Sequence, residues 1–441
     1  MNRLNYSSIV LLFIVFVFYA PICCGSNNKR TYSNVQQFNE KSFEFINSDN
    51  IKTVRLEKLG VEFSEPAIEL GSGEKLLISF DDISEEPGSY SYSLTHCDSQ
   101  WNPSDLFPTD YINGFEVNEV KDFINSTGTV IPYVHFRIEI PNDEVHIKIS
   151  GNYCLKIFST YEPEKILIQK QFVVYESLVA VSANIRQPSV GEQRYSGQQL
   201  ELKLDTKGIR VNDPYSDIKV QIYQNHLFGN SLNEVSPVFV NGSELDYTKP
   251  DALIFAGVNE FRFFDIRNTR FLSQGLQSVD YITGAFHVQL KPDESRRKQK
   301  YSQYSDFNGK YNISFENSDQ SHIEADYLWT YFSLLSPFQL DEGKSVYILG
   351  EITGWQLNPE SKMDYSYERG AFEKRLQLKQ GVYNYSYVVA DDSTGEVDYT
   401  HFEGSHFDTE NSYFILVYFR PTGSRYERVV GYKKINSRNP F

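Results

Sequence analysis

At 441 residues the chain is too long for one hydrophobic core, and at ~100–200 residues per domain it holds two to four. The 31 Tyr and 32 Phe against 2 Met favour strands over helices, because aromatic and β-branched side chains fit a pleated surface while Leu, Ala and Met dominate helices. A formal net charge of −16 argues against nucleic acid as a ligand, since phosphate binding needs a basic face.

Arg3 and the unbroken apolar run Ile9–Tyr19 open the chain. The run has the length of a signal-peptide core and is too short to span a bilayer. Small residues at Cys23-Cys24-Gly25-Ser26 then offer a cleavage site, so residues 1–25 read as a signal peptide, with a buried N-terminal strand or helix as the alternative. A cysteine at that point also admits a lipoprotein, although Ile22 or Cys23 before the modified Cys is bulkier than that peptidase prefers. No later segment is apolar for 18 residues. If Cys23 and Cys24 are both lost, Cys97 and Cys154 remain, open to a disulfide in an oxidising compartment or to use as two small buried hydrophobes.

From there the periodicity is that of strands. Lys75–Phe80, Tyr90–Thr95, Tyr133–Ile140, Tyr153–Phe158 and Gln169–Tyr175 alternate or run apolar, and Pro87-Gly88, Pro141-Asn142-Asp143 and Gly151-Asn152 bound them. Such spacing predicts a β-sandwich over residues 30–175. Gln199–Leu204, Ile218–Tyr223, Phe255, Tyr281–Leu290 and Tyr311–Phe315 predict a second over 176–334. Within it the basic run Arg296–Lys300 reads as a solvated loop rather than an anion contact. Ser345–Gly350, Phe372–Leu378, Tyr383–Val389 and Tyr413–Phe419 predict a third over 335–441.

Motifs for catalysis are missing. The eight His form no HExxH, no CxxC occurs, and there is no G-x-S-x-G elbow, P-loop or dinucleotide fingerprint. His401 and His406 flank Glu403, with Asp408 following, but the spacing fits no common metal site. No carboxylate pair stands out for glycoside hydrolysis. The densest unusual stretch is His96–Asn102, continuing through Ser104, Tyr111 and Gly114-Phe115, where a strand runs into a long loop. Trp101 beside Asp98 and Tyr111 reads either as an exposed partner anchor or as packing, with Trp101 and Phe115 closing the sandwich end while Asp98 caps the turn. Long loops on a rigid scaffold are where binding function concentrates.

Tyr92–Asp98, Trp101, Ser104, Tyr111, Gly114-Phe115, Ser126, Tyr133, Pro141-Asn142 and Ser150–Tyr153 resemble the N-terminal domain of the type IX secretion system plug proteins of Bacteroidetes. The likeness continues through Phe255, Gly257, Asn259–Arg262, Phe264-Asp265, Ala325–Tyr327, Glu403-Gly404, Asp408–Asn411, Tyr413, Tyr418–Arg420 and Gly431. Cys154 and Gly128 depart from the pattern. A second likeness lies in Val346–Trp355, Met363, Phe372, Leu376 and Gly381–Tyr385, which look like an early-set immunoglobulin-like module of the glycogen-binding kind. Together these imply an all-β chain of tandem immunoglobulin-like and early-set β-sandwich domains. The plug resemblance implies a periplasmic, monomeric, non-catalytic protein without cofactor or metal. Its partner would be the giant outer-membrane β-barrel translocon, whose periplasmic mouth it seals. Partner contacts are expected from Asp98, Trp101, Tyr111 and Phe115, and from Arg262 and Arg267, with Arg262 equally suited to an internal ion pair. The competing function is that of a periplasmic or surface glycan-binding protein.

Overall fold

A computed structural model of the chain describes residues 36–37 and 44–438, apart from 190, 234, 250, 251 and 317. The signal-peptide and lipidation readings, including Cys23 and Cys24, lie outside these residues. The described residues form one compact unit containing three apolar cores, each enclosed by two sheets.

The first sandwich uses β1 (Ile51–Lys58), β2 (Leu76–Asp82), β3 (Tyr90–Cys97), β4 (Val117–Glu119), β5 (Asp122–Asn125), β6 (Val134–Ile140), β7 (Gly151–Ser159) and β8 (Glu162–Tyr175). One sheet runs β1–β2–β6–β5 and the other β8–β7–β3–β4. Alternation sets the core: Leu76, Ile78 and Phe80 are fully buried while Leu77 and Ser79 between them are not, as a strand of period two requires.

The second sandwich begins with β9 (Ala180–Arg186), β10 (Gly197–Asp205) and β11 (Ile218–Gln224). The chain then leaves it to build the third from β12 (Arg262–Asp265), β13 (Leu276–Ile282), β14 (Ala285–Leu290), β15 (Tyr327–Leu335), β16 (Lys344–Leu349), β17 (Ala371–Lys379) and β18 (Gly381–Asp391). In that sandwich β13–β14–β15–β17 form one sheet, and β12 and β16 both pair with β18 in the other. Only afterwards do β19 (Ser412–Phe419) and β20 (Arg428–Asn436) return to complete the second, with β19 antiparallel to β11 from Ile218↔Phe419 to Gln224↔Tyr413.

The strand pairing therefore divides the chain differently from the expected 176–334 and 335–441. The third sandwich is inserted into the second, and its first strands, β12 to β15, precede residue 336. The cause is non-local. Each strand in this stretch has the right local pattern, and nothing in that pattern names the sheet it joins.

β19 is the element on which two layers close. All eight of its residues are buried. Tyr413, Ile415, Val417 and Phe419 face the second core. Phe414, Leu416 and Tyr418 pack on the opposite side with Ala67 and Val173 of the first sandwich. A continuous apolar run is the signature of a strand covered on both faces. Ile415→Ala is expected to destabilise the protein by about 2–5 kcal/mol, the usual cost of truncating a fully buried Ile, measured as a shift in denaturant midpoint. A chain ending at residue 405 is expected to lose the second core altogether, read as lost amide protection in β10 and β11.

Candidate partner-binding surface

The loop after β3 is organised by Asp98. Its Oδ1 accepts from the backbone N–H groups of Gln100 and Asn102, each at 2.9 Å, which turns the chain and sets Trp101 at φ 63°. Trp101 is 6% exposed. It meets the Phe228 ring of the second sandwich edge-on at 4.6 Å and shares a small cluster with Cys97 and Cys154. Tyr111 is buried too, and its hydroxyl donates to the Leu94 carbonyl at 3.1 Å. Phe115 is the exception at 70% exposed. Of the two readings of Trp101, the structure has the packing one, while Phe115 stands in solvent rather than plugging the sandwich. Phe107, Val117, Phe123 and Ile124 are exposed nearby. Sequence reasoning missed them, since an exposed and a buried aromatic look alike without knowledge of the sheet edge.

Arg262 is 8% exposed. Its Nε donates to Glu403 Oε1 at 2.9 Å, its Nη1 to Asp293 Oδ1 at 2.7 Å and its Nη2 to the Glu294 carbonyl at 2.8 Å. It is thus the internal ion-pair residue, with no donor face left for a partner. Arg267 is half-buried and chelated by Asp265 two residues before it. Arg296, first of the basic run, also turns inward to Glu403. Burial alone would raise the Glu403 carboxyl, but Arg262 and Arg296 outweigh it and hold it below the usual range. Among the described residues no group of three or more His, Cys, Asp or Glu is placed to hold a metal ion.

Cys97 and Cys154 are both free and buried, so the disulfide alternative is corrected to that of two small hydrophobes. The register explains it. Cys97 lies opposite Asn152 and Cys154 opposite Thr95, making the cysteines diagonal neighbours, about 7 Å apart in a regular ladder against the ~4 Å Cβ separation of a disulfide. Burial pushes the Cys97 thiol up to about 12 and raises Cys154 as well, which removes the reactive thiolate.

Buried charge joins the sandwiches beneath this surface. Glu65 of the first receives Lys310 Nζ of the third at 2.5 Å and the Leu227 N–H of the second at 2.9 Å. His226 Nδ1 of the second lies 3.5 Å away, its ring stacked at 4.7 Å on Trp355 of the third. Burial would raise the Glu65 carboxyl, yet Lys310 and His226 hold it well below the usual range. Asp81 similarly takes Lys379 Nζ, the Tyr327 hydroxyl and His135 Nδ1, each at 2.6 Å. Asp306 is different. It accepts the Phe261 and Asn308 N–H groups but burial pushes its carboxyl up to about 7. A cleft of about 260 Å³ opens between β1 and the third sandwich, where Arg375 covers the Trp329 ring at 4.1 Å.

Residues 51–176 match the family model described as "Type 9 secretion system plug protein 1st domain". The crystal structure of a hypothetical protein from Parabacteroides merdae ATCC 43184 is similar at a TM-score of 0.87 and 31% identity, over 89% of this chain and 99% of that one. The chain belongs to the type IX secretion system plug family. Among curated proteins nothing matches it. Membership brings this plug-family protein a role in type IX secretion and an association with that machinery. The matched segment is the first sandwich, which carries Phe107, Phe115, Phe123 and the Asp98 turn.

Two measurements check the site. Between about pH 4, where a free aspartate ionises, and about pH 7, folded Asp306 keeps a proton that the unfolded chain has lost. Its contribution therefore falls as pH rises through that window, and a carboxyl resonance titrating near 7 should vanish in Asp306→Asn. Glu65, depressed instead, stabilises above the ordinary glutamate range and loses this contribution as pH falls below it. Lys310→Met leaves that carboxylate buried without its ammonium, with only the Leu227 N–H and His226 beside it, and is expected to cost about 3–5 kcal/mol, read from denaturant unfolding at neutral pH.

Proposed function

We propose that this protein is a periplasmic plug that docks on the periplasmic mouth of the type IX outer-membrane β-barrel translocon and closes it while no substrate passes. It acts by shape and contact, without catalysis. The observation that carries this reading is the use of buried charge. Glu65, Asp81, Glu403 and Glu427 each join strands or sandwiches to one another. The result is a braced body on which one loop region of the first sandwich presents Phe107, Phe115, Val117 and Phe123 to solvent, while other exposed aromatics such as Phe239, Phe271 and Phe338 stand on the other two sandwiches. A stopper needs that rigidity, and exposed aromatics are the usual anchors of a protein interface. Of the contact residues expected from sequence, Phe115 and Arg267 reach solvent, and Phe107 joins them as a contact.

The glycan-binding alternative is less well supported. Trp355 is buried against His226, and the Trp329 ring in the open cleft already carries a guanidinium on one face.

Affinity purification of the tagged chain from native envelopes is expected to bring down the translocon barrel. Retention on starch or another glycan without the barrel overturns the plug reading. Phe107→Ala and Phe115→Ala are expected to weaken barrel retention, by about 1–2 kcal/mol each, with stability changed by no more than about 0.5 kcal/mol. Trp101→Ala should do the reverse and cost about 3–5 kcal/mol of stability. Thermal unfolding beside the same pull-down separates the two.

A further inference from the structure

Among the described residues, one flank of the first sandwich is open in both sheets. β4 is the last strand of one sheet and β5 the last of the other, and only Val120 and Lys121 connect them. The Val120 N–H donates to the Tyr90 carbonyl and the Ser126 N–H to the Tyr133 carbonyl. Antiparallel ladders alternate, so by register the backbone groups of Val117 and Glu119 face away from β3, and those of Phe123 and Asn125 away from β6. Natural edges are usually guarded by charge, proline or a covering loop. Here Phe115, Val117, Phe123 and Ile124 are exposed along the edge, and Phe123 leans on the core ring of Phe136 at 5.7 Å. The flanking charges are acidic: Glu116, Glu119 and Asp122 are exposed, and Lys121, the one cation of residues 115–125, is paired with Glu144.

We propose that this flank receives an extended segment of the translocon as an added strand, apolar at its centre and bearing basic residues that meet Glu116, Glu119 and Asp122. This inference rests on the plug reading. A closed barrel wall has no free edge, so the segment comes from a stretch that leaves the wall on the periplasmic side. Main-chain hydrogen bonds to the edge would supply affinity, and the alternating side chains selectivity. The short edge strands limit the added pairing to about four residues per sheet.

The test uses the full tagged chain in native envelopes. Asn125→Pro removes an outward N–H while sparing the ladder to β6, and Phe123→Lys replaces the apolar contact with a cation. The double variant is expected to retain about tenfold less translocon than wild type, with a thermal midpoint within a few degrees of it. A second variant, Glu116→Lys with Glu119→Lys and Asp122→Lys, leaves the backbone edge intact and is expected to lose retention through charge alone. Unchanged retention in both overturns the added strand and leaves the plug reading standing. A wild-type chain that fails to hold the translocon overturns the plug reading itself. A wild-type dimer that Asn125→Pro converts to monomer assigns the edge to a second copy, and overturns the proposal too.

Discussion

Glu65 is the point at which three separately cored sandwiches become one body. Its carboxylate belongs to the first, its ammonium partner Lys310 to the third, and its backbone donor Leu227 to the second. A buried carboxylate is tolerable only with its partners present, so none of the three can swing away without stranding a charge. Lys310 is itself held by the carbonyls of Phe63 and Ser64, and the Phe63 ring stacks on Phe307 at 4.6 Å. Polar and aromatic contacts thus converge on one spot, and their geometric demands fix the arrangement more tightly than apolar packing alone.

The other interfaces repeat that logic in pairs. Asp81 ties the first sandwich to the third through Lys379 and Tyr327. Glu427 of the second accepts the Ser99 N–H of the first at 2.6 Å while pairing with Lys219. Inside the third, Arg262 sits between Glu403 and Asp293, and the hydroxyls of Tyr385 and Tyr387 donate to Asp293. In a cleft such clusters of carboxylates, arginines and tyrosines would suggest an active centre. Here they are interior braces.

The loop that carries the candidate surface was legible in the sequence, but not which of its residues face out. The long loop after β3 was recognisable from His96–Asn102, and the capping role of Asp98 followed from its position before a turn. The fate of Trp101 depends on Phe228, 127 positions further along, and that of Phe115 on the absence, among the described residues, of any strand beyond β4. Arg262 looked equally suited to partner or interior because its acceptors, Asp293 and Glu403, are distant in the chain.

By itself the sequence determined that the chain is built of strands and where many of them lie, Tyr413–Phe419 among them. Those properties follow from side-chain alternation and composition over a few residues. Tertiary structure alone decided that β19 and β20 return to the second sandwich, that the third is an insertion, that Cys97 and Cys154 sit diagonally rather than bonded, and that one flank of the first sandwich stays open. Strand pairing joins residues as distant as Gln36 and Val397, and a period of two carries no label for the partner.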